Sequence, residues 1–223
     1  MKRIIMIIGA MGLSLALGMP ALGQDDKAGG PATQAVRKRI ENVIDILKDP
    51  AYDGAGSEKL AEQRRKILNE VDGFFDFQRI SQLALGRFRQ KFNAQEMKTF
   101  TDLFTDLLTN TYLKQVQEEF ENEQVDYLEE IHHPSDKERV MVKTLVYRRG
   151  NKVPVDYSMY VADGQWQVYD VKVEGVSLVK NYRTQFEKIL LNESPKVLIE
   201  KVREKVEKMD NDASSEDADA DKG

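Results

Sequence analysis

The chain has 223 residues, with 33 Lys and Arg against 38 Asp and Glu, a formal net charge of −5 and a 41% hydrophobic fraction. That is enough chain for one or two domains with a sizeable core, and the acidic balance excludes a basic, phosphate-neutralising nucleic-acid binder. The sequence contains no cysteine, which excludes a disulfide scaffold, thiolate catalysis, cysteine-held metal centres and an acylated lipoprotein anchor.

Met1-Lys2-Arg3 is a basic start, and Ile4 to Leu17 is an apolar run short of the ~20 residues that span a bilayer. Pro20 follows, and Ala21-Leu22-Gly23 places small residues at the third and first positions before a cut between Gly23 and Gln24. This is the layout of a cleaved secretory signal over 1–23, so the mature chain is expected to be soluble and periplasmic. Losing Lys2 and Arg3 changes the charge from −5 to −7. Residues 24–32 read as a flexible, glycine-rich leader, and 33–209 as the folded domain.

Val36, Ile40, Val43, Ile44 and Leu47 recur at helical spacing up to Asp49-Pro50; Leu60, Ile67, Leu68 and Val71 mark a second helix. A shorter one is expected over Phe74 to Leu85. Asn93 with Glu96 reads as a capping box, opening a long helix to about Glu121 that carries Phe100, Leu103, Phe104, Leu107 and Leu108. The period then drops to two. Strands are expected at Val125–Ile131, Val140–Val146, Val153–Val161 and Trp166–Val173, with turns at Gly150-Asn151 and Asp163-Gly164. Four sequential strands with short links form an antiparallel meander. Two helices follow, Leu178–Leu191 and one opened by Ser194-Pro195. The acidic stretch 210–223 lacks apolar periodicity and is expected to be disordered. The order is that of an α+β fold, with five to seven helices around the sheet.

Catalytic chemistry is hard to assemble from these residues. His132 and His133 are adjacent before Pro134 and, pointing opposite ways in extended chain, are poorly placed to share a metal. Asp76, Asp156 and Asp170 sit among apolar residues, as caps or partners of Arg79, Arg87 or Arg183. No nucleophile, base and oxyanion donor come together, so the chain reads as a non-enzyme without cofactor or metal. What stands out is apolar material in excess of two simple faces. Either helix and sheet fill each other, or part of that material lines a cavity. The Arg148, Arg149 and Lys152 turn is either a docking patch or a solvated turn.

The run from Trp166 to Phe186, WQVYDVKVEGVSLVKNYRTQF, closely resembles the signature of the MlaC family of toluene-tolerance, ABC-transporter auxiliary proteins. Phe75-Asp76-Phe77 with Leu83-Ala84-Leu85-Gly86-Arg87-Phe88 is similar to its other marker, and the likeness extends over about Thr33 to Met209. The resemblance implies an NTF2- or cystatin-like sheet wrapped by helices around an apolar lipid pocket. It also implies a carrier of phospholipid, or of hopanoid, between an outer-membrane lipoprotein–porin complex and an inner-membrane ABC transporter with its substrate-binding subunit. Chosen by apolar patterning, the wall candidates are Leu103, Phe104, Leu107, Val155, Tyr157, Met159, Trp166, Tyr169, Val171 and Tyr182. Two other readings stay open: a protein-binding module or chaperone with a filled core, and an enzyme on the same sheet built on Asp170.

Overall fold

The computed structural model describes residues 29–220. The signal sequence, its Gly23/Gln24 cut and most of the leader lie outside them. Six α-helices and five strands follow in the order α1 (Pro31–Leu47), α2 (Ser57–Val71), α3 (Phe77–Leu85), α4 (Ala94–Glu119), β1 (Gln124–His133), β2 (Asp136–Arg148), β3 (Asn151–Ala162), β4 (Gln165–Val173), β5 (Val176–Ser177), α5 (Leu178–Leu190) and α6 (Pro195–Ala220). Two 3-10 helices, Pro50–Tyr52 and Gly86–Lys91, link helices. Among the described residues no helix is long and apolar enough to cross a membrane.

The sheet is an antiparallel meander in sequence order, β1-β2-β3-β4-β5. The expected four strands are present, and the fifth is a two-residue strand paired with the end of β4. Three of its links are built alike. Arg149-Gly150, Asp163-Gly164 and Glu174-Gly175 all have positive φ at both residues, which two-residue hairpin turns require for their twist to match the strands. Along the ladders Val140 faces Met159, Val142 faces Tyr157 and Val146 faces Val153, so these side chains share one side. Between Ser158 and Met159 the β3–β4 register slips: Asp170 pairs with Ser158 but Val168 with Met159, leaving Tyr169 as the extra residue of a bulge. Val168 and Val171 therefore both reach the inner face, though three apart.

Two apolar cores result. The first is helical: Phe100, Phe104, Leu107 and Leu108 of α4 pack with Ile80, Ala84 and Leu85 of α3, with Val179, Tyr182, Phe186 and Leu190 of α5, and with Leu198, Val202 and Val206 of α6. Its centre is aromatic, with Phe104 5.5 Å from Phe100, 4.9 Å from Tyr182 and 5.2 Å from Phe186 between ring centroids. The second lies between α1 and the sheet, where Ala32 and Val36 meet Phe74, Val140, Val142, Met159 and Val168.

The capping box is formed: the Asn93 side chain accepts the Glu96 N–H at 2.8 Å and the Asn93 N–H donates to Glu96 at 3.1 Å. Two boundaries differ from expectation. Pro31 already stands in the first turn of α1, where its missing N–H costs nothing, so the helix begins two residues before 33. The acidic run after Met209, expected to be disordered, is helical as far as Ala220. The helix is anchored by buried Leu198, Val202 and Val206, and each residue added to a formed helix gains a hydrogen bond without a new nucleation cost.

Candidate functional site

A groove of about 370 Å3 opens where the second core ends. Helix α1 is one wall, through Ile40, Val43, Ile44 and Leu47. These lie C-terminal to Val36 on the same helical stripe, beyond the point where α1 rests on the sheet. The C-terminal half of α4 is the opposite wall, with Tyr112, Val116 and the C-cap residue Phe120, while Val125, Val146 and Tyr157 of the sheet form the floor. Val71, Phe74 and Phe75 close one end. Their segment is held to the bulged strand, Val168 N–H donating to the Phe74 carbonyl at 2.8 Å and Asp76 N–H to the Val168 carbonyl at 2.9 Å.

Most of these apolar side chains are incompletely buried, and Tyr112 and Val116 are each 41% exposed. A core would have closed over them, because dispersion and the hydrophobic effect both reward contact; here they face a gap. Burial pushes the Tyr157 hydroxyl up to about 12, so the phenol remains neutral at any ordinary pH.

Charged residues reach the groove as pairs. Arg39 of α1 donates to Glu70 of α2 at 2.9 Å, and Asn42 donates to the same oxygen at 2.9 Å. Arg148 of β2 bonds Glu119 of α4 and lies 3.4 Å from Glu123. Next to it Arg149 bonds Glu121 at 2.8 Å, and Lys152 sits 5.3 Å from the Tyr147 ring centre. The two arginines of the basic turn seen in the sequence are therefore paired within the fold. The N-terminus of α1 is tied to the sheet through Glu130 of β1, which accepts the Thr33 N–H at 2.9 Å and the Thr33 hydroxyl at 3.0 Å.

The hydrogen bond from Asn42, then the Arg39 guanidinium, hold the Glu70 carboxyl below its ordinary value of 4.5. A depressed carboxylate stabilises the fold above its unfolded value, and that contribution is lost as pH falls through the folded one. The stability difference between the protein and its Glu70→Gln variant is expected to be present at neutral pH and to vanish at pH well below 4.5. Paired urea midpoints across that range check it; a difference that persists in acid would show that Glu70 does not tie α1 to α2 through its charge.

Of the ten wall candidates, Tyr157 lines the groove. Val155 lies on the same inner face opposite Thr144, two residues along from Tyr157 but outside the groove lining. Met159 is fully buried under α1, with Trp166 and Val171 packed against that core. Tyr169, the bulge residue, meets Tyr160 edge to face, with ring centroids 5.9 Å apart. Leu103, Phe104, Leu107 and Tyr182 belong to the helical core. The reason for the displacement is that α3, α5 and α6 present apolar faces of their own and fill the middle of α4, so its stripe meets helices there and not the sheet.

Asp170 has both oxygens occupied: it accepts the Ser177 hydroxyl at 2.6 Å and the Val179 N–H at 3.0 Å at the start of α5. Asp76 caps α3 by accepting the Arg79 N–H at 2.8 Å, and also accepts the Tyr160 hydroxyl. His132 and His133 end strand β1, with His132 3.4 Å from Glu130. Among the described residues no group of three His, Cys, Asp or Glu is placed to hold a metal ion. What the arrangement offers is apolar accommodation with charge kept in pairs at its margins.

A family model described as MlaC protein matches residues 37–204. No curated protein matches the chain. Among solved structures, a phospholipid-binding protein from Ralstonia solanacearum, determined in complex with a phospholipid, has the same fold with a TM-score of 0.70. The two are 24% identical, and the match covers 80% of this chain and 98% of that one.

Proposed function

The chain belongs to the MlaC family, and from that membership and its groove we propose that it carries phospholipid through the periplasm, holding the acyl tails between α1, α4 and the sheet. The observation that carries this reading is the set of apolar side chains on both walls left half-buried around open space. The Ralstonia solanacearum relative, which shares the fold and was solved with a phospholipid, supports it further. A secretory signal over 1–23 fits the compartment, and an inner-membrane ABC transporter and an outer-membrane lipoprotein–porin complex are the proposed donor and acceptor.

Physical chemistry makes the need for such a protein concrete. Each acyl CH₂ exposed to water costs about 0.8 kcal/mol, so a two-tailed lipid cannot cross an aqueous space alone at a useful rate. Transfer from bilayer to groove exchanges one apolar environment for another and is near balance. Direction then comes from a partner that spends ATP or from a lipid gradient. The carrier itself contributes shape and dryness and performs no bond chemistry.

The test is native mass spectrometry of the protein purified from periplasm, followed by solvent extraction. A stoichiometric increment identified as phospholipid is expected; a hopanoid would keep the mechanism and change the cargo. A bare protein mass that stays bare after incubation with phospholipid vesicles would overturn the reading.

A further inference from the structure

Most arginines on this molecule have an acceptor from its own fold: Arg39 has Glu70, Arg148 and Arg149 have Glu119, Glu121 and Glu123, and Arg87 has Glu187 at 2.9 Å. Arg183 donates to the Leu83 carbonyl at 2.8 Å. Arg79 and Arg89 differ in having no carboxylate partner among the described residues, the Arg79 side chain meeting the Tyr160 hydroxyl instead. They share a second cleft, of about 380 Å3, with Gln78, Gln82 and Asp76, and among the described residues neither guanidinium has a carboxylate at ion-pair distance. Arg79 is oriented by aromatic rings, its guanidinium carbon 4.1 Å from the centroid of Tyr160 and 5.4 Å from that of Tyr169. Such stacking fixes the plane of the guanidinium while leaving N–H groups for another acceptor. Arg89 is exposed on the 3-10 helix after α3. The carboxylate in the cleft, Asp76, already accepts from the Arg79 N–H and the Tyr160 hydroxyl. Two guanidinium charges and one carboxylate thus share a recess that is net positive on a chain whose formal charge is −5.

We propose that this cleft is a docking site for a carboxylate-rich segment of a partner protein. With one carboxylate against two guanidinium groups the cleft keeps a net positive charge, and a partner's carboxylate presents the planar pair of oxygens that a guanidinium binds in bidentate fashion. The side-chain amides of Gln78 and Gln82 add donors beside it. A protein segment fits better than a membrane surface on two grounds. The site is recessed, and its apolar lining is the half-buried Leu83 alone, with none of the exposed large apolar residues, such as Leu128, Ile131 or Val176, beside it. The cleft is separate from the groove, so docking and cargo binding are read independently.

Fluorescence anisotropy with labelled hexaglutamate and the full chain tests this. Binding is expected at low ionic strength, weakened by added salt, and reduced about tenfold or more by Arg89→Glu, since reversing one close charge changes affinity by at least that factor. The exposed Arg65→Glu on α2 is expected to bind like the unaltered protein. Arg79→Gln is a second variant, with lipid content and thermal unfolding reporting whether it folds. Equal binding by Arg89→Glu and the unaltered protein, or no binding at low salt, would overturn the proposal. So would Arg89-dependent flotation on anionic phosphatidylglycerol vesicles without peptide binding, which would assign the cleft to a membrane.

Discussion

Replacing Ile44 by glutamate is expected to empty the groove while leaving the chain folded. Ile44 is half-buried on the wall that α1 presents to the gap, so little packing is lost, and glutamate is a good helix former. With a lipid in place, however, the carboxylate would lie under acyl chains. An unpaired charge in an apolar site costs several kcal/mol, and each 1.4 kcal/mol is tenfold in affinity, so bound lipid should fall by roughly a hundredfold or more. Native mass spectrometry of the purified variant, with thermal unfolding as the control for folding, measures both effects. A normal lipid load on a folded Ile44→Glu protein would remove α1 from the binding site.

Truncating Phe104 to alanine should do the reverse. Phe104 is fully buried and touches three other rings, and deleting such a side chain costs roughly 3–5 kcal/mol in transfer and cavity terms. In a domain of this size that lowers the melting temperature by about 6–20 °C. The lipid carried per folded molecule should not change. Leu107, 1% exposed in the same core, should behave alike on truncation. A Phe104→Ala protein with unaltered stability and depleted lipid would restore the middle of α4 as a pocket wall.

That contrast shows what periodicity conveys. The stripe on α4 is plain in the sequence, as are the strands, the Asn93 cap and the glycine turns, because each depends on neighbours a few residues away. Which surface answers a stripe depends on residues dozens of positions distant. Phe104 and Ile44 sit on equally regular apolar faces, yet α5 and α6 close over the first and, among the described residues, no element closes over the second. Tyr157 was accessible to sequence reasoning because the strand's alternation fixes its face. Val168 takes the inner place that alternation would give Tyr169, through a bulge that leaves no mark in the residue pattern. Tyr112, Val116 and Phe120 carry a faint signal, an i, i+4 row continuing past the core residues, but a row of this kind is equally compatible with contact to another helix.

Helix α4 does two things with one unbroken backbone: its first half is clamped into the helical core by Phe100, Phe104 and Leu107, and its second half offers Tyr112 and Val116 to the groove, with Phe120 just past its end. At 3.6 residues per turn, each residue gained or lost between Leu108 and Tyr112 would swing everything beyond by about 100°. Descendants of this sequence are therefore free to exchange the groove side chains one at a time, and so to adapt the cargo, but not to change the length of the helix between its two halves.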